Sequence, residues 1–236
     1  MTRRTQKRIQ EHIAALASSD KDVSAKAEHN LFRYYGARAL EMLIEACNHE
    51  NPQVRFRAVW LLGSAHDSRA FDTVLRLIGD PDGAVRYDAA IALGRLGDER
   101  AIPILIALMS IPDLETCVND AAATGIVSLG KAAVPALTDL LQSDIPSVRR
   151  MTAYTLGNIG DEVAIIPLSE LLKDKDPLTR MAGIDSLAEI GTSRCRDLIR
   201  QGLDDEAEEV RESAAYSLRE LNKALESNSE AARRRN

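Results

Sequence analysis

The stretch Asp82–Ile106, DGAVRYDAAIALGRLGDERAIPILI, reads as a turn, a helix, a short turn and the start of a second helix. Within Val85–Gly97 the apolar residues Val85, Ala89, Leu93 and Leu96 fall at spacings of 4, 4 and 3, which places them in one helical stripe. Small residues at Ala89 and Ala90 let a neighbouring backbone approach. Gly97 ends the helix where a left-handed backbone costs little. Ala101–Met109, AIPILIALM, is the second helix, and Pro103 is tolerated because it sits in the first turn. One such pair cannot bury its apolar faces alone, but a stack of pairs can.

The plan recurs along the chain. With the valine of the Val-Arg pair as position zero, equivalent positions fall at Val23, Val54, Val85, Val118, Val148, Thr179 and Val210, separated by 31, 31, 33, 30, 31 and 31 residues. A fixed period of this size is the mark of a stacked solenoid and outranks any local assignment. The helix pairs expected are Thr5–Ser18 with Val23–Tyr35, Ala37–Cys47 with Val54–Gly63, and Arg69–Ile78 with Val85–Leu96. Arg100–Met109 with Val118–Leu129 and Ala132–Leu141 with Val148–Ile159 follow. Val163–Leu172 with Thr179–Ile190 and Arg194–Leu203 with Glu208–Leu225 complete the series. The fold class is therefore all-α. Residues 1–4 are expected to fray, 5–225 to form a single solenoid, and 226–236, which are polar and lose the period, to form a mobile tail.

Composition narrows the function. The chain has 236 residues, 45% hydrophobic and 28% charged, enough for a packed body. A net charge of −6 argues against a general nucleic-acid binder. No apolar run of about 18 residues is present, so no membrane span is expected. The basic start, MTRRTQKRIQ, has no apolar region and does not read as a secretory signal. Cys47, Cys117 and Cys195 are far apart and odd in number, which points to free thiols in a reducing cytoplasm. The four histidines share no face and have no cysteine at zinc spacing, so no metal site is expected. No glycine-rich phosphate loop and no nucleophile elbow occurs, so nothing specifies a reaction or a cofactor.

The motif D-P-x-x-V-R-x-x-A-x-x-A-L-G-x-L-G-D-x-x-A-I-P-x-L stands in Asn51–Gly63, Asp80–Leu105, Asp144–Leu168 and Asp176–Gly191. It resembles the HEAT-like repeats of the phycobilisome-lyase type, over roughly residues 5 to 225. The resemblance implies a right-handed α-solenoid of about seven helix pairs, with the second helix of each pair lining the concave side. It also implies a ladder between repeats, made by the arginine at +1 (Arg55, Arg86, Arg149, Arg180, Arg211) and an acid of the turn (Asp80 or Asp82, Asp144, Asp176, Asp205). Those arginines are then structural. The fourth repeat has Asn119 at +1 and two extra residues around 111–117, so the ladder should break there and leave an irregular joint. The family also holds di-iron deoxyhypusine hydroxylases with His-Glu at +2 and +3. No repeat here carries that pair, which excludes the chemistry.

Helical geometry places +2, +6 and +9 of each second helix opposite the buried stripe of 0, +4, +8 and +11. Of those 21 positions six are aromatic, out of nine aromatics in the chain, where even scatter gives about one; hot spots favour Trp, Tyr and Arg. Either the rings fill the inner curve by stacking between repeats, or they form a groove. The groove residues are His29, Phe32, Phe56, Trp60, Tyr87, Asp120, Arg150, Tyr154, Asp185, Glu212 and Tyr216. The reading that follows is a non-catalytic scaffold that captures a protein segment. The alternative, which rests on the resemblance, is a phycobilin lyase or bilin-handling chaperone-like subunit, with the rings as flat cover, Asp120 or Asp185 for pyrrole nitrogens and Arg150 for propionates.

Overall fold

The computed structural model describes residues 2–111 and 117–233, with side chains for all of these but 35, 37 and 228–233. The described residues form fourteen α-helices and no strand, one helix at each expected place. In pairs they are α1 (Arg3–Ala15) with α2 (Lys21–Asn30), α3 (Leu40–Ala46) with α4 (Pro52–Ala65), and α5 (Phe71–Arg76) with α6 (Gly83–Arg95). Then come α7 (Ala101–Met109) with α8 (Val118–Leu129) and α9 (Val134–Leu140) with α10 (Pro146–Ile159). Last are α11 (Ile165–Glu170) with α12 (Pro177–Ile190) and α13 (Ser193–Ile199) with α14 (Glu208–Arg233). The architecture is an α-solenoid of stacked helix pairs. The chain divides into two compact units, residues 1–129 and 130–236, where periodicity alone gives one continuous body over 5–225.

The first helices of the pairs are short because 3₁₀ turns take over their ends. Asp67 and Asp161 each accept the N–H two residues on, which winds Ser68–Ala70 and Glu162–Ala164 tightly before α5 and α11 begin. Second helices start on an acceptor side chain: Asp20, Asn51, Asp82 and Asp176 each cap a free N–H. They stop at +12, where Gly97, Gly130, Gly160 and Gly191 sit at φ between 64 and 78°. His66 holds the same position in α4 at φ 51° and hydrogen-bonds through Nδ1 with the carbonyl of Arg95 at the end of α6.

Both chain ends differ from expectation. Thr2 accepts the Thr5 N–H and starts α1 at Arg3, so residues 3 and 4 are helical where fraying is expected. α14 runs on to Arg233, beyond the expected end at 225, since Glu226–Arg233 contains no glycine or proline to stop it. Val118–Leu140 has the composition of a short membrane span, with a mean hydropathy of 1.3. Yet α8 ends at Leu129 and Gly130 turns the chain at φ 64°, so no one helix there reaches the ~20 residues a span needs.

Second helices lie side by side within each unit, α4 on α6 on α8 and α10 on α12 on α14. The contact is closest at +9. A Cβ on Gly94 would stand 1.9 Å from the carbonyl oxygen of Gly125, and one on Gly63 or Gly157 would meet Ala92 or Ser186 at 2.7 and 2.9 Å. Position +9 is thus buried against +7 of the next repeat at Gly63, Gly94 and Gly157, which corrects the expectation that it is open there; Phe32 and Arg219, at +9 of the first and last repeats, are exposed. A helical wheel locates the side away from the first helices, but neighbouring second helices press on it too.

The Arg–Asp ladder is present within both units. Arg55 grips Asp80 with Nε and Nη2, both at 2.7 Å, and Arg149 holds Asp174 and Arg180 holds Asp205 in the same two-pronged way. Each arginine also donates Nη1 to carbonyls of its own turn, as Arg86 and Arg211 do. The carboxylate lies 25 residues after the arginine, so the rung in the sixth repeat is Asp174 and not Asp176. Counting 25 from Arg86 reaches Ile111, and the inserted residues 112–116 lie outside the described residues.

Candidate functional site

With +9 buried, the open face of each second helix is the line +2, +6, +10. Position +6 is its crest. It carries Trp60 in the first unit and Tyr154 and Tyr216 in the second, exposed by 40, 44 and 63%. His29 and Thr124 at +6 are also exposed, and Ile91 and Asp185 are half-buried. At +2 the rings lean in: Phe56 and Tyr87 are half-buried, whereas Asp120 and Glu212 are exposed. Phe32, at +9 of the first repeat, is 44% exposed because no glycine contact forms there. It lines a small cavity of 220 Å³ with Leu31, Leu40, Leu43 and Leu61.

The eleven predicted groove residues therefore fall into two sets. His29, Phe32, Phe56, Trp60, Tyr87 and Asp120 belong to the first unit, and Arg150, Tyr154, Asp185, Glu212 and Tyr216 to the second. Ring stacking between repeats is not what orders them. Among the described residues the ring–ring contact is His29 on Tyr34, edge to face with centroids 5.9 Å apart.

Several charges near the faces are already engaged. Arg57 pairs with Glu28 at 3.1 Å and donates to the carbonyl of Leu16, tying the second repeat to the end of α1. Arg150 reaches Asp176 at 2.7 Å, and Asp176 also caps α12 and accepts from the Thr179 hydroxyl. Those bonds, led by the one from Thr179, hold the Asp176 carboxyl below its usual range. Burial, then the Asp185 carboxylate, pushes the Tyr154 phenol up, with Arg150 opposing. Asp88, beside Tyr87, is different. Its Oδ2 is buried without a hydrogen-bond partner, and desolvation pushes its carboxyl up to about 6 against the pull of Arg95.

In the second unit Asp185, Glu212 and Tyr216 come together. They line an open trough of 970 Å³ between α12 and α14, joined by Met181, Glu189, Glu209 and Glu220. Glu189, Glu209 and Glu220 escape the sequence reading because they stand at +10 and −1. Taking +10 in place of +9 as the third exposed position recovers Glu189 and Glu220. For bilin chemistry the alternative sets aside Arg150 with Asp120 or Asp185; Arg150 is committed to Asp176, Asp185 accepts from Ser213 at 2.9 Å, and Asp120 is exposed.

The HEAT-repeat family model matches residues 40–124, 116–187, 135–219 and 167–234. The chain belongs to the HEAT-repeat family. Among solved structures this HEAT-repeat chain is similar to an archaeal HEAT-like repeats protein from Thermococcus onnurineus NA1, at 16% identity and a TM-score of 0.54, over 91% of this chain and 97% of that one. It is similar to a mutant of Kap121p at 17% identity and a TM-score of 0.54, over 90% of this chain and 28% of that one. The complex of CpcE and CpcF of phycocyanin lyase from Nostoc sp. PCC7120 aligns at 21% identity and a TM-score of 0.48, over 90% and 94%. These likenesses are of fold. No curated protein sequence matches.

Proposed function

We propose that this HEAT-repeat protein is a non-catalytic scaffold that captures segments of partner proteins on the open faces of its second helices. The carrying observation is the crest at +6, where Trp60, Tyr154 and Tyr216 are all 40% exposed or more. Large rings that keep this much surface in water on the same helical position of different repeats cost solvation, whereas Trp and Tyr are the residues that anchor protein interfaces. Among the charged groups near the faces, Arg57 and Arg150 serve the stack through Glu28 and Asp176.

The test is affinity capture from the native cell with the parent protein, Trp60→Ala and Tyr154→Ala. The parent recovers specific partners and each variant, still folded by circular dichroism, loses some of them. Equal recovery by all three overturns the proposal. Co-expression with a bilin source gives no visible absorption band on the protein under this reading; a band would favour bilin handling.

A further inference from the structure

We infer that the trough between α12 and α14 binds an extended Lys/Arg-rich segment of a partner protein. The inference rests on the scaffold reading and names the chemistry of one of its faces. The trough is lined by five carboxylates, Asp185, Glu189, Glu209, Glu212 and Glu220, and by no lysine or arginine among the described residues. Only Glu220 is in an ion pair among those residues, with Lys223 at 2.8 Å, and Asp185 is oriented by Ser213 and Ser217. Glu189, Glu209 and Glu212 stand exposed on both walls.

Acidity alone does not define a ligand, but the apolar part of the lining does. Tyr216, 63% exposed on the crest of α14, lines the trough with Met181, Ala188 and Leu221. A lysine or arginine lays its methylene stem on such a lining, presents its cation to the ring face and reaches a carboxylate with its head. A bare metal ion does not fit, since among the described residues no three acids are grouped to ligate one. From Glu209 to Glu220 the trough follows α14 for about 16 Å, the reach of about five extended residues. Mutual repulsion of the unpaired carboxylates is relieved when cations enter, so binding should be strongly salt-dependent.

Fluorescence anisotropy on the full chain tests this with a labelled peptide alternating Arg and Gly, about six residues long, and its Glu-Gly counterpart. The basic peptide binds saturably and the acidic one does not. Raising salt from about 50 to about 500 mM weakens binding at least ~10-fold. The pair Glu189→Lys with Glu212→Lys weakens it at least ~10-fold, and Tyr216→Ala, which leaves charge unchanged, about 3-fold or more. The control pair Asp139→Lys with Glu162→Lys makes the same change in net charge away from the trough and leaves affinity within about 2-fold. No saturable binding, or equal loss in the control, overturns the inference. So does sedimentation showing that the trough pair dissolves a dimer instead, which would make the occupant the basic start of α1 from a second copy. Failure of peptide binding with Trp60-dependent capture intact removes this inference and leaves the scaffold. Intact peptide binding with capture independent of Trp60 and Tyr154 does the reverse.

Discussion

Arg149 and Asp174 meet across neighbouring repeats in a two-pronged ion pair, 2.7 and 2.8 Å long, with both side chains about nine-tenths buried. Asp174 also accepts the N–H of Asp176, and Arg149 donates Nη1 to the carbonyl of Ser143, so every strong group of the pair is used. Burial alone would raise the Asp174 carboxyl, but the Arg149 and Asp176 bonds outweigh it and hold the group below its usual range. Removing one partner leaves the other charge buried and unmet, which costs about 3 kcal/mol. Arg149→Ala and Asp174→Ala should each lower the unfolding free energy from urea titration by that amount, and the double variant by far less than the sum. A folded carboxyl held below its unfolded value stabilises above the unfolded pKa and loses that contribution as pH falls through the folded one. The parent's advantage over Asp174→Ala should therefore fade below about pH 4. Additive losses with no pH dependence would show the pair to be decorative.

Gly94 and Gly125 set the closest approach in the first unit, and the energetics should be steep. The Cβ of Gly94→Ala would lie 1.9 Å from the Gly125 carbonyl oxygen and 2.4 Å from its Cα, so α6 and α8 must separate along their length. Overpacking of that kind costs about 2 kcal/mol or more. Gly79→Ala is the control, because nothing lies within 4 Å of a Cβ there. Thermal melts should place Gly94→Ala well below the parent and Gly79→Ala level with it or above. A neutral Gly94→Ala would mean the two helices are not in contact in solution.

How far the sequence carried the fold is plain from these pairs. The helix pair recurs seven times, the glycine stop at +12 four times and the arginine rung three times, and repetition turns weak propensities into a strong one. The burial of +9 was not legible, because a helical wheel treats a helix as having one buried side, while Gly94 packs against a helix 31 residues further on. Sequence alone does not separate Asp174 from Asp176, because both are acids of one turn and only the 25-residue reach of the arginine distinguishes them. The aromatic crest is legible at +6, since Trp60, Tyr154 and Tyr216 each keep 40% or more of their surface exposed there. The acidic trough is only half legible, as Glu189, Glu209 and Glu220 stand at +10 and −1, outside the line +2, +6, +9 that a helical wheel gives as exposed.

Asp88 should give the molecule an unusual pH signature. Its carboxyl is pushed up to about 6 by desolvation and has a buried oxygen with no partner. A group raised above its unfolded value of about 3.9 binds protons more tightly when folded, so its contribution is full below that pH and lost as pH rises through 6. Asp88→Asn removes the titration. The variant should match or trail the parent at pH 5 and exceed it at pH 7.5 by about 1 kcal/mol. Unfolding midpoints at the two pH values decide the matter, and a difference independent of pH would place the carboxyl in water.

The crest at +6 can be told apart from core by stability alone, without any partner. Leu93 is fully buried in α6, and Leu93→Ala should cost about 3 kcal/mol through lost burial and the cavity left behind. Trp60 and Tyr154 keep 40 and 44% of their surface in water. Trp60→Ala and Tyr154→Ala should each cost less than about 1 kcal/mol, as for surface substitutions. The contrast matters because a ring that packed the stack and a ring that waits for a partner have opposite signatures. The first unfolds the protein when removed; the second leaves the melt unchanged and silences the interaction. Melts in which Trp60→Ala falls as far as Leu93→Ala would assign the indole to the core and withdraw the binding face from the first unit.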